Sequence, residues 1–182
     1  MHPRLQFWRL MLAGLAVAAA VAPVHGAEIS KEYQLKAAFL YNFTRFIEWP
    51  AGRFPAANSP IVIGVYRENP FGEELERVVA GRSVAGRPIE VREVATLEAA
   101  LTTHLLFVPA GQEELLADHR QAFDGAGVVT VGESERFATL GGVIRFVVQG
   151  DRLRFAIRDV SDEATGLRIS SQLLKLATAV HK

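Results

Sequence analysis

Apolar positions recur along this chain with two different periods. Over residues 33–50 the spacing is three and four, and Leu35, Ala38, Phe39, Phe43, Phe46 and Ile47 make one continuous face while Tyr41 and Trp49 point elsewhere. Ser30 is a suitable N-cap and Pro50 cannot continue a helix, so the pattern predicts one helix over 31–48. A helix apolar around more than half its girth buries two sides. One is its own sheet; the other is either the rest of the core, with Tyr41 and Trp49 at the rim, or a partner on which those two aromatics act as exposed anchors.

Past a Pro-, Gly- and Ala-rich connection at 51–60, short β-branched runs alternate with amphipathic segments. Residues 61–65 read as a buried strand. Asn69 caps a helix whose first residue is Pro70, with Leu75, Val78 and Val79 facing inward and Gly81 at its end. Residues 89–92 read as a more polar strand near an edge, 96–101 as a short helix and 105–108 as a strongly apolar strand. A helix over 112–123, closed by Asp124-Gly125, leads to a fourth strand over 128–131. Strand and helix taking turns at this spacing predict an α/β fold, a mostly parallel sheet with helices on both faces.

The pattern then changes. Residues 143–148 and 153–157 read as an antiparallel hairpin turning at Gln149-Gly150-Asp151. Leu153, Phe155 and Ile157 share one face of its second strand and Arg152, Arg154 and Arg158 the other. Arg145 joins the arginines if the register allows. Such a cationic face is either a solvated sheet surface or a docking surface for an acidic partner or an anion. Residues 161–165 make a helical turn stopped by Gly166. Ser170 caps a C-terminal helix, with Ile169 stapled on Leu174, and Leu173, Leu174, Leu176, Ala177 and Val180 face inward.

Composition adds where the chain goes. Residues 1–26 carry His2, Arg4 and Arg9, then an apolar run over 10–21, then Val24-His25-Gly26, the makeup of a signal peptide cleaved after Gly26 or Ala27. The apolar run is short for a membrane span. Residues 27–182 then form a single domain, exported to the periplasm, with 18 basic and 20 acidic residues and a net charge of −2. That balance offers no bulk attraction to nucleic acid or anionic lipid. The chain has no cysteine, which excludes disulfides and thiol catalysis.

Catalytic patterns fail one by one. Gly81-Arg82-Ser83-Val84-Ala85 ends in Ala where a nucleophile elbow needs Gly, and no strand leads directly into it. Gly125-Ala126-Gly127 lacks a third glycine and opens a strand instead of a helix. His104, His119 and His181 are scattered without metal spacing. The chain reads as non-catalytic, with no cofactor or metal.

Several segments occur in a telling order: 46–50 (Phe-Ile-Glu-Trp-Pro), 69–72 (Asn-Pro-Phe-Gly), 86–89 (Gly-Arg-Pro-Ile), 104–108 (His-Leu-Leu-Phe-Val), 141–146 (Gly-Gly-Val-Ile-Arg-Phe) and 166–177, which begins Gly-Leu-Arg-Ile-Ser-Ser. Together with the leader they make the chain resemble the YfiR family over essentially all of residues 27–182. The resemblance implies a periplasmic regulator that binds and represses the periplasmic sensor domain of an inner-membrane diguanylate cyclase, affecting cyclic-di-GMP and biofilm formation. It also implies sequestration by an OmpA-like outer-membrane lipoprotein, and a homodimer. The expected docking residues are Tyr41 and Trp49 as aromatic anchors and Arg145, Arg152, Arg154 and Arg158 as charged contacts. The alternatives are an accessory to a sensor histidine kinase and a small-molecule-binding protein. The latter would use the crevice at the C-terminal ends of the parallel strands, near 66–71 and 109–111.

Overall fold

The computed structural model describes residues 30–163 and 165–181; the leader predicted at 1–26 lies outside the described residues. Chain order is α1 (Lys31–Thr44), β1 (Ile47–Glu48), a 3-10 turn (Ala51–Arg53), β2 (Ile61–Tyr66), α2 (Glu74–Val79), β3 (Ser83–Val84), β4 (Arg87–Val94), α3 (Leu97–Leu101) and β5 (Leu105–Phe107). It continues through α4 (Glu114–Ala126), β6 (Val129–Gly132), α5 (Glu135–Thr139), β7 (Ile144–Gln149), β8 (Arg152–Arg158), β9 (Arg168–Ile169), α6 (Ser171–Leu176) and β10 (Val180–His181).

Eight strands form one sheet in the order β10-β8-β7-β6-β5-β2-β4-β3, and β1 pairs with β9 apart from it. From β4 to β7 neighbouring strands are parallel, in the order second, first, third, fourth, fifth, as in flavodoxin-like doubly wound sheets. Alternation along each strand feeds two cores. Leu105 and Phe107 pack with Leu40 and Phe43 of α1 and Leu75 of α2, whereas Leu106 and Val108 pack with Ala100, Leu116 and Phe123 of α3 and α4. The fold is therefore the predicted α/β one, ending in an antiparallel hairpin, a helix and a further strand.

Local chemistry sets the boundaries that differ from expectation. Ser30 caps α1 as predicted, its Oγ accepting from the Tyr33 amide at 3.4 Å. The helix stops at Thr44, short of Glu48: the Thr44 hydroxyl donates to the Tyr41 carbonyl at 2.7 Å, and Ile47 pairs with Ile169 in β1–β9. Its buried face is Lys36, Ala37, Leu40, Phe43 and Thr44, while Leu35, expected inside, is 53% exposed. Asn69 makes a turn, its Oδ1 accepting from the Phe71 amide at 2.9 Å, and α2 proper begins at Glu74.

The pattern reading did not include α5. Ser134 caps it by accepting from the Phe137 amide at 3.0 Å, and Phe137 lies against Gly132 and Gly142, where an added Cβ would come within 2.3 and 2.0 Å of its ring. The last helix ends at Leu176, so Leu176 and Val180 are 61% and 45% exposed where they were expected to face inward. Ladder bonds to β8 take over there: Thr178 donates to the Phe155 carbonyl at 2.8 Å and Ile157 to that of Ala179 at 2.9 Å, which favours extended chain over another helical turn.

Candidate docking surface

The hairpin register decides where the arginines go. Gln149 lies opposite Arg152, so Gly150-Asp151 is a two-residue loop, with Gly150 at φ +63°. Arg145 is opposite Ala156, and Val147 opposite Arg154, which puts Arg145 on the same face as Arg152, Arg154 and Arg158. The four are not equivalent. Arg158 is held: it donates to the Gly141 carbonyl at 3.0 Å and pairs with Asp124 at 2.8 Å, with about a fifth of its side chain exposed. Arg145 pairs with Glu135. Arg152 and Arg154 are exposed, without a side-chain partner among the described residues. Beneath this face a pocket of about 150 Å³ is lined by Arg145, Ala156, Arg158 and His181.

The aromatic anchors lie elsewhere and are half-buried instead of exposed. Tyr41 sits under the Arg82 guanidinium, 4.6 Å from its ring centre. Trp49 packs edge-to-face on His104 at 5.6 Å and shares a cleft with Val84 of β3 and Arg87 of β4, at the end of the sheet opposite β8. Helix α1 ending early puts Trp49 after β1 and turns its ring inward. The structure thus gathers the four arginines and separates them from the two aromatics.

What the sequence reading passed over is the cluster around His104. Its Nδ1 accepts from the Val62 amide at 3.1 Å, so its proton resides on Nε2, which is buried without a hydrogen bond. Phe54 stacks on the ring at 4.6 Å. Burial, then the charges of Arg53, Arg87 and Arg92, push its pKa down to about 4. Arg53 is fixed beside it, donating to the Leu101 carbonyl at 3.3 Å and to that of Thr103. The strand after His104 reads simply as apolar, and only tertiary packing reveals that this histidine is a neutral core residue.

At the C-terminal ends of the parallel strands, the crevice of the small-molecule alternative, α1 intrudes. Lys36, 3% exposed, pairs with Glu133, which also accepts from the Tyr33 hydroxyl at 3.1 Å and the Ala110 amide at 3.3 Å. Burial and the Glu133 charge raise the Tyr33 pKa to about 12. Among the described residues no group of three or more His, Asp or Glu side chains is placed to hold a metal ion.

The domain is thus doubly wound, with a cationic face on its hairpin and with His104, Arg53 and Lys36 engaged in packing and internal pairs. The model of the YfiR/HmsC-like family matches residues 33–178, and the chain belongs to that family. No curated protein matches it. Membership points to a periplasmic regulator in cyclic-di-GMP signalling rather than to a catalyst.

Proposed function

We propose that the protein is a periplasmic, non-catalytic regulator that binds and represses the sensor domain of an inner-membrane signalling enzyme, a diguanylate cyclase. The family match over 33–178 carries this reading. The exposed Arg152 and Arg154 toward the tip of the hairpin, unpaired among the described residues, support it, because they offer charge to an acidic partner without breaking a described internal pair. Repression follows from differential affinity: a soluble domain lowers the output of a membrane enzyme by binding its inactive conformation better than its active one. In this reading an OmpA-like outer-membrane lipoprotein relieves repression by competing for the regulator. Cyclic-di-GMP measured in otherwise identical cells with and without the gene tests it. The level rises on deletion if the protein represses a cyclase, and an unchanged level removes the cyclase as its target.

A further inference from the structure

Leu176, one of the most exposed large apolar side chains, stands at the mouth of a groove. The groove holds about 290 Å³ and is walled by Phe39, Phe43, Phe46, Phe155, Leu173 and Leu176. Among the described residues its polar linings are Asn42 and Arg45, and no carboxylate lines it. Both are exposed, and the Arg45 side chain has no hydrogen-bond or ion-pair partner among the described residues. Leu176 is 61% exposed, as is 53% of Leu35, one turn before Phe39. An apolar trough with an unpaired cation at its rim is asymmetric, and the asymmetry selects its occupant.

A second copy of the chain, docked by two-fold symmetry, would bring the same unpaired Arg45 from each side to a contact with no carboxylate in its lining. An alkyl chain brings no polar backbone into the trough. At roughly 30 Å³ per heavy atom, the groove takes about ten of them. A terminal carboxylate would meet the guanidinium in the two-pronged geometry that arginine favours.

We propose that the groove between α1, β8 and α6 binds a medium-chain fatty acid, with its chain on the phenylalanines and leucines and its carboxylate on Arg45. The proposal stands independently of the cyclase reading. Titration calorimetry of the purified protein with octanoate and with 1-octanol tests it. Octanoate binds saturably and about tenfold tighter than the alcohol, the worth of one charge-assisted hydrogen bond. Arg45→Gln removes that preference while leaving octanol binding intact. Leu176→Asp, at an exposed position that leaves the melting temperature unchanged, abolishes binding of both. The proposal is overturned if octanoate binding does not saturate, if acid and alcohol bind alike, or if either variant binds octanoate as the parent does. It is equally overturned by a dimer that Leu176→Asp dissociates, which would assign the groove to a second copy.

Discussion

His104 shows how a residue type associated with chemistry can serve packing alone. With one nitrogen committed to the Val62 amide, Phe54 stacked on its ring and Trp49 packed edge-to-face with it, charging it would place a cation beside Arg53 at a position only 4% exposed. Its folded pKa of about 4 lies below the ordinary value of 6.5, so between those values the unfolded chain binds the extra proton. Stability from this group is therefore complete above pH 6.5 and is lost as the pH falls toward 4, by about 2–3 kcal/mol. Asn at this position keeps an acceptor for Val62 and cannot titrate. Urea unfolding at a series of pH values should show the parent losing more stability than His104→Asn between pH 7 and 4. Parallel curves for the two would mean that His104 is not held neutral.

Among the elements, the β3–β4 hairpin carries an avoidable strain. Its turn residues Ala85 and Gly86 have φ of +51° and +77°, the left-handed pair of a type I′ turn, and Ala is poorly suited to the first position. Ala85→Asn should stabilise the protein by about 1 kcal/mol, read as a rise in melting temperature; a fall would mean that the Ala85 methyl packs in the adjoining cleft. Elements fixed by local signals were legible in the sequence: Ser30 and Ser170 cap the helices they were expected to cap, Thr96 caps the short helix it was expected to begin, and the apolar run before Pro109 is the central strand β5. Elements fixed by distant partners were not. Ile47 leaves the helix to pair with Ile169, Val180 leaves it to pair with Ile157, and nothing near either residue announces the strand it joins. The same cause hid the burial of Trp49, whose position depends on where α1 ends. The arginine face was readable because side-chain alternation along β8 is local, and only the place of Arg145 awaited the register.

Over the whole molecule, charge on the hairpin divides into a structural and an available pair. Asp124, at the end of α4, and the Gly141 carbonyl, before β7, both hold Arg158, so this arginine ties the hairpin to the far helical layer. Arg152 and Arg154 lie further toward the tip and tie nothing among the described residues. The two kinds of substitution should therefore separate. Arg158→Glu sets a carboxylate against Asp124 and forfeits two contacts, costing about 2 kcal/mol in urea unfolding. Replacing Arg152 and Arg154 together with Glu should change stability by less than about 0.5 kcal/mol, the usual range for exposed positions without partners. If these two arginines steer the regulator onto an acidic sensor domain, the double variant accumulates in the periplasm at parental level and yet raises cyclic-di-GMP as gene deletion does. Growth at higher ionic strength should narrow the difference between parent and variant, because exposed charge pairs are screened over about 10 Å at 0.1 M salt. A double variant that holds cyclic-di-GMP at the parental level, in cells where deletion raises it, would leave the regulatory reading standing and move the docking contact off the hairpin.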